Sequence, residues 1–131
     1  MKGSYILLME LKKNKTIPIG KLGNINFKKG FYAYIGSALT GLEQRIKRHL
    51  KKDKKNYWHI DYLLKHGKII DIFYNESDIK EECNIVKKIE EKLFPILNFG
   101  CSDCNCRSHL FYGSKNELMN VINSLYMTLY R

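Results

Sequence analysis

Tyr34, Arg45 and His49 are the side chains whose types and spacing first suggest chemistry. Arginine carries a permanent charge and five N–H donors, imidazole titrates near neutral pH, and a phenol donates or accepts a hydrogen bond. Facing one shallow site, the three would combine fixed charge, a titratable ring and a hydroxyl. The spacing also allows a bland reading. Tyr34 is then an ordinary sheet residue, and Arg45 and His49 are a solvated helix flank, as most charge on helix edges is.

The elements that must position them lie in one stretch, Phe31 to Leu50. Phe31 to Ile35 is dense in aromatic and β-branched residues and reads as a strand. Gly36 stops it. Thr40 with Glu43 three residues on makes a capping box, so a helix is expected from near Gly41. Leu42, Ile46 and Leu50 form its buried stripe, with Arg45 and His49 one above the other at the stripe's edge.

The 131 residues predict one domain, residues 1–131, with one core. Lysine and arginine total 23 against 13 acids, a net charge of +10. That excess points to a polyanionic partner. No apolar stretch approaches the ~20 residues of a membrane span, and the N-terminal run is broken by Glu10. No membrane association and a cytoplasmic location are therefore expected, with free thiols or metal ligands favoured over disulfides.

Along the chain, strands are expected near 4–11, 31–36 and 68–74, forming a central, mainly antiparallel three-stranded sheet flanked by helices. Thr16 to Gly20 reads as a short edge piece because Pro18 interrupts it. Lys51, Lys52, Lys54 and Lys55 read as a solvated loop or as a phosphate-contacting one. Gly36, Ser37, Lys47 and Arg48 complete the candidate nucleic-acid-binding set. Asn56 is expected to cap a helix from about Trp58 to Lys65, which carries His59. A long helix is expected from Ser77 or Asn75 to about Phe94, with Ile79, Cys83, Val86, Ile89 and Leu93 as its stripe. Glu82 and Glu90 fall within the span of that stripe, where an unpaired carboxylate is costly. His109 to Tyr112 reads as a last short strand. Ser114 and Glu117 form a second capping box for a C-terminal helix over 114–130, buried through Leu118, Val121, Ile122, Leu125 and Leu129.

Tyr34-Ile35-Gly36 resembles the second half of the signature of the GIY-YIG nuclease superfamily, and Gly3-Ser4-Tyr5 resembles a variant of the first half. Arg45 stands nine positions after Gly36, near the family's invariant arginine, and His49 one helical turn later. Trp58-His59-Ile60-Asp61-Tyr62-Leu63, Phe99-Gly100, Ser102-Asp103-Cys104 and Ser108-His109-Leu110 resemble the archaeal Uri-type branch. Domains of that branch stand alone or are fused to endonuclease III-like repair enzymes. The resemblance runs from Gly3 to about Tyr112 and marks residues 3–112 as the core.

This resemblance implies an α/β (α+β) GIY-YIG-like fold and a metal-dependent endonuclease acting on nucleic acid. DNA is favoured, in repair or recombination. It implies one Mg2+ or Mn2+ on Glu82, with Glu90 as the alternative. Tyr34 or Tyr5 would help deprotonate a water, Arg45 would hold the phosphate, and His49 would orient the water or relay its proton. His59 would be a wall residue. The family's terminal asparagine corresponds to Asn98 or to the Ser102-Asp103 turn. The rival reading is a non-catalytic, basic nucleic-acid-binding module.

Cys101, Cys104, Cys106 and His109 crowd one loop. Thiolates and imidazole are good zinc ligands. Zinc through Cys104, Cys106, His109 and either Cys101 or Cys83 is one reading. The spacing lacks paired knuckles, and buried free thiols in a tight turn are the favoured one. A zinc-dependent structural domain is the third function class.

Overall fold

The sheet is built around β1 (Gly3–Leu11), whose sequence is almost continuously apolar and which is hydrogen-bonded on both sides. The computed structural model describes residues 2–79, 81–101 and 106–131. After β1 come β2 (Lys15–Pro18) and β3 (Asn24–Phe27), which pair with each other as a separate hairpin. Next are β4 (Gly30–Ala38), α1 (Leu42–Leu50), α2 (His59–Leu64), β5 (Lys68–Glu76) and α3 (Glu82–Ile89). The chain ends with β6 (Phe94–Pro95), β7 (Leu110–Gly113), α4 (Lys115–Ser124) and β8 (Thr128–Leu129). The main sheet has the order β6-β7-β4-β1-β5-β8, and every pairing in it among the described residues is antiparallel.

This is a small α+β domain with, among the described residues, four α-helices and a main sheet of six strands where three were expected. The three expected strands are its centre, each slightly longer than expected. The additions are β6, β7 and β8 at the two sides. Two of these are only two residues long, too short to show an alternating pattern.

Alternation along the central strands splits the core in two. Tyr5, Leu7, Met9, Tyr32 and Tyr34 pack with Leu42, Ile46, Ile60 and Leu63 from α1 and α2. The β2–β3 hairpin adds Ile17 and Phe27 to that layer. Ile6, Leu8, Ala33 and Ile35 face the other way, onto Ile85, Val86 and Ile89 of α3 and Leu118, Val121 and Ile122 of α4. No helix among the described residues is long and apolar enough to cross a membrane.

Several boundaries differ from expectation for local reasons. Helix α1 is capped at Gly41 with no side-chain bond, so the Thr40–Glu43 box does not form. Its buried positions are Leu42, Ile46 and His49, while Leu50 is half exposed. The stripe thus closes at i, i+4, i+7 rather than i+8. Helix α2 is ordered by Asp61 rather than by Asn56. Helix α3 is much shorter than the expected 77–94 span. Ile79 is exposed before it begins, and Phe94 leaves it to pair with Tyr112. The strand expected over His109 to Tyr112 is β7, Leu110–Gly113, one residue later. The Ser114–Glu117 box does form, with reciprocal bonds of 2.9 and 3.1 Å. Helix α4 stops at Ser124, and Tyr126, at φ 55°, turns the chain back so that β8 pairs with β5. Leu129 is consequently exposed rather than buried on a helix.

Candidate active site

In the β1–β4 register Tyr5 faces Gly36 and Leu7 faces Tyr34. Both phenols therefore leave the sheet on the α1–α2 side. They open into a cleft of about 560 Å3, whose wall also carries Ser37, Arg45, Trp58, His59, Glu82 and His109. Gly36 also lines it, and its role is spatial: a Cβ there would overlap the Tyr5 ring. Gly100, at φ +75°, takes a conformation that favours glycine and lies against Tyr34 and His109.

His49 does not line the cleft. It is buried behind Tyr5, with Nε2 2.7 Å from the phenolic oxygen. Burial pulls its pKa from 6.5 down to about 3, so the ring is neutral. Its Nδ1 is buried with no hydrogen-bond partner among the described residues. An orphaned N–H is rarer and worse than an orphaned lone pair, which favours the proton on Nε2. Nε2–H then donates to Tyr5 Oη, and the phenol's own hydrogen is left to turn towards the cleft. Burial raises the pKa of both Tyr5 and Tyr34, against the opposing pull of the Arg45 charge.

Arg45 donates from Nη1 to the Ser37 carbonyl at 3.1 Å, and its guanidinium stands 4.4 Å from the centre of the Trp58 ring. The Arg48 guanidinium stands at the same distance from that ring. Arg48 is held by a two-pronged pair with Asp61, 3.0 Å on each prong. Asp61 is fully buried, and its Oδ2 also accepts from the backbone N–H groups of Tyr57 and Trp58 at 2.8 and 2.9 Å. Burial works against its charge, but the bonds from Arg48, Trp58 and Tyr57 outweigh it and hold the carboxyl below its usual range. Arg48 thus braces Trp58 from below.

His59 Nδ1 accepts from the Gly100 N–H at 2.8 Å, which puts the ring proton on Nε2. Burial lowers its pKa and keeps that neutral form. Glu82, the first residue of α3, reaches the cleft from the opposite layer, with Oε2 3.7 Å from His109 Nδ1. Glu90 caps the far end of α3 and is not on the cleft wall. Asn98, at φ 65°, borders a neighbouring hollow with Cys101 instead.

The lysines divide. Lys54 Nζ donates to the carbonyls of His49 and Lys51 at 3.1 and 2.6 Å, closing the end of α1. Lys47 makes a solvated pair with Glu43. Lys51, Lys52 and Lys55 are exposed. Of the expected sulfur ligands, Cys83 and Cys106 join His109 with one candidate ligand atom of each within 4.8 Å of the others. The Cys101 thiol instead donates to the Phe99 carbonyl at 3.5 Å. Cys104 and the Ser102-Asp103 turn lie outside the described residues.

Sequence reasoning missed the Arg45–Trp58–Arg48 arrangement, the Asp61 brace and the place of His109 on the cleft wall. One signal was present. Asp61 stands three residues after Trp58, where a carboxylate can reach back to backbone N–H groups at a helix start.

Comparison with curated proteins and with solved structures finds no match. A family model does match residues 4–131, nearly the whole chain. The protein accordingly belongs to the family described as domain of unknown function DUF123.

Proposed function

We propose that this protein is a divalent-cation-dependent endonuclease of the GIY-YIG type. It would hydrolyse phosphodiester bonds in nucleic acid, DNA foremost, in repair or recombination. The observation that carries this reading is the convergence of Tyr5, Tyr34, Arg45, His59 and Glu82, from five different elements, on one cleft. The net charge of +10 supports a polyanionic substrate. The strand–turn–helix from Tyr34 to Arg45 and the antiparallel central strands support the superfamily resemblance.

Among the described residues the cleft wall carries one carboxylate and one arginine, which suits Mg2+ or Mn2+, ions that keep several waters and take one or two carboxylates. Glu82 would hold the ion, which when bound adds positive charge at the phosphate and acidifies a water. Arg45 would compensate charge developing on the phosphate oxygens. Tyr5 and Tyr34 keep their protons at neutral pH, since burial raises both. Without a cation they are hydrogen-bond donors, and beside one on Glu82, Tyr34 or Tyr5 would help deprotonate the water. His49 would act through Tyr5, as a positioning residue. His59 would offer its Nε2–H to the substrate. Lys51, Lys52 and Lys55 would contact the backbone beyond the cleft.

The test is a cleavage panel of duplex, branched, damaged and single-stranded DNA and of RNA, each with Mg2+, Mn2+ or chelator. The expected result is metal-dependent cleavage that is lost in Arg45→Ala. Binding without cleavage across the panel, with Arg45→Ala changing affinity alone, would establish a nucleic-acid-binding module instead.

A further inference from the structure

We infer that Cys83, Cys106 and His109 form a zinc site that fastens the start of α3 to the segment entering β7. Cys83 is the second residue of α3, more than twenty positions before Cys106, so the fold and not sequence proximity brings them together. One ligand atom from each of the three lies within 4.8 Å of the others. A tetrahedral site with Zn–S of about 2.3 Å needs sulfurs about 3.8 Å apart, a difference that small side-chain rotations cover. His109 is buried, and both cysteines are half-buried, so an ion there would be largely shielded from water.

The donor chemistry selects the metal. Two thiolates and an imidazole suit zinc and not the hard cations that prefer oxygen. This separates the site from the Glu82 carboxylate. The two meet at one point, where Glu82 Oε2 stands 3.7 Å from His109 Nδ1. A carboxylate that moves from that distance into hydrogen-bond range would buttress a zinc-bound imidazole, fixing the ring and raising its basicity. With that approach, zinc on His109 would also fix Glu82 at the cleft wall. Among the described residues the site has three protein ligands, with a fourth position for water or a further side chain. Binding would release the thiol protons, so uptake should strengthen as pH rises.

The experiment uses the full chain without a polyhistidine tag, purified under reducing conditions with no added metal. Elemental analysis should find one zinc per chain. Replacement by Co2+ should give the near-ultraviolet thiolate-to-cobalt band and the visible bands of a tetrahedral site. Cys83→Ser and Cys106→Ser should each weaken zinc in a chelator competition by at least ~100-fold, the upper range for even an outer-shell partner. Cys101→Ser should leave affinity unchanged. The wild-type cobalt spectrum decides the matter even if a variant fails to fold. Absence of the thiolate band would overturn the inference, as would a Cys83–Cys106 disulfide in the reduced preparation. Zinc retained in both serine variants would overturn it too. None of these readouts depends on cleavage of nucleic acid, so the site stands or falls apart from the endonuclease reading.

Discussion

Arg45 is the residue whose removal most directly tests the chemistry. Its guanidinium lies on the cleft wall, held by the Ser37 carbonyl and the Trp58 ring. Arg45→Ala should lower the cleavage rate by ~100- to 1,000-fold, the usual effect of losing one charge-stabilising group. Single-turnover rates with saturating enzyme would separate that loss from weaker binding. His49 gives a prediction in pH. Its folded value of about 3 lies below the ordinary 6.5. Between those values the unfolded chain takes up a proton that the folded chain refuses, so this residue's contribution to stability falls as the solution is acidified through that window. Asp61 opposes the depression, while Arg48, Lys54 and Arg45 reinforce it. Urea midpoints measured from pH 7 to 3 should fall more steeply for wild type than for His49→Gln. A parallel decline would show that His49 is not held neutral. At this scale the sequence revealed residue types but not their depth. Helical spacing put His49 at an edge, and only the three-dimensional packing of Tyr5, Tyr34 and Trp58 around it shows a buried ring.

Helix α2 is six residues long, too short to be stable by propensity alone. Asp61 supplies what is missing, since one carboxylate meets two backbone N–H groups and the Arg48 fork. Asp61→Ala should destabilise the protein by about 3 kcal/mol, the lower end for breaking a buried pair, because Arg48 is partly solvated. Equilibrium denaturation checks this, and a change below about 1 kcal/mol would make the brace incidental, no more than a surface pair. The long central strands and α1 were readable because each presents one strong pattern, either a dense aromatic run or an apolar stripe. The ends of α3 and α4 were not. Both helices stop where Phe94 and Thr128 find strand partners, and those partners, Tyr112 and Tyr74, are remote in sequence. The second capping box was legible because its two side chains need only each other.

For the molecule as a whole, charge is the property that extends furthest. Replacing Lys51, Lys52 and Lys55 together by alanine should weaken nucleic-acid binding without slowing the chemical step. On duplex DNA, the plot of log affinity against log salt should become shallower by roughly 0.9 for each phosphate that the variant leaves unneutralised. Lys54 is left out because it closes the end of α1, and its loss would mix a folding defect with a binding one. An unchanged slope would place the electrostatic footprint elsewhere on the surface. The central position of β1 has a consequence during synthesis. It is made before either of its two sheet neighbours, and one of them, β5, ends only at Glu76. At roughly 5 to 20 residues per second, the 65 residues from Leu11 to Glu76 take about 3 to 13 s to make. Throughout that time an almost wholly apolar strand has at least one open hydrogen-bonding edge. The nascent chain is then a natural client for a ribosome-associated chaperone, and slowing translation before Glu76 should raise its tendency to aggregate.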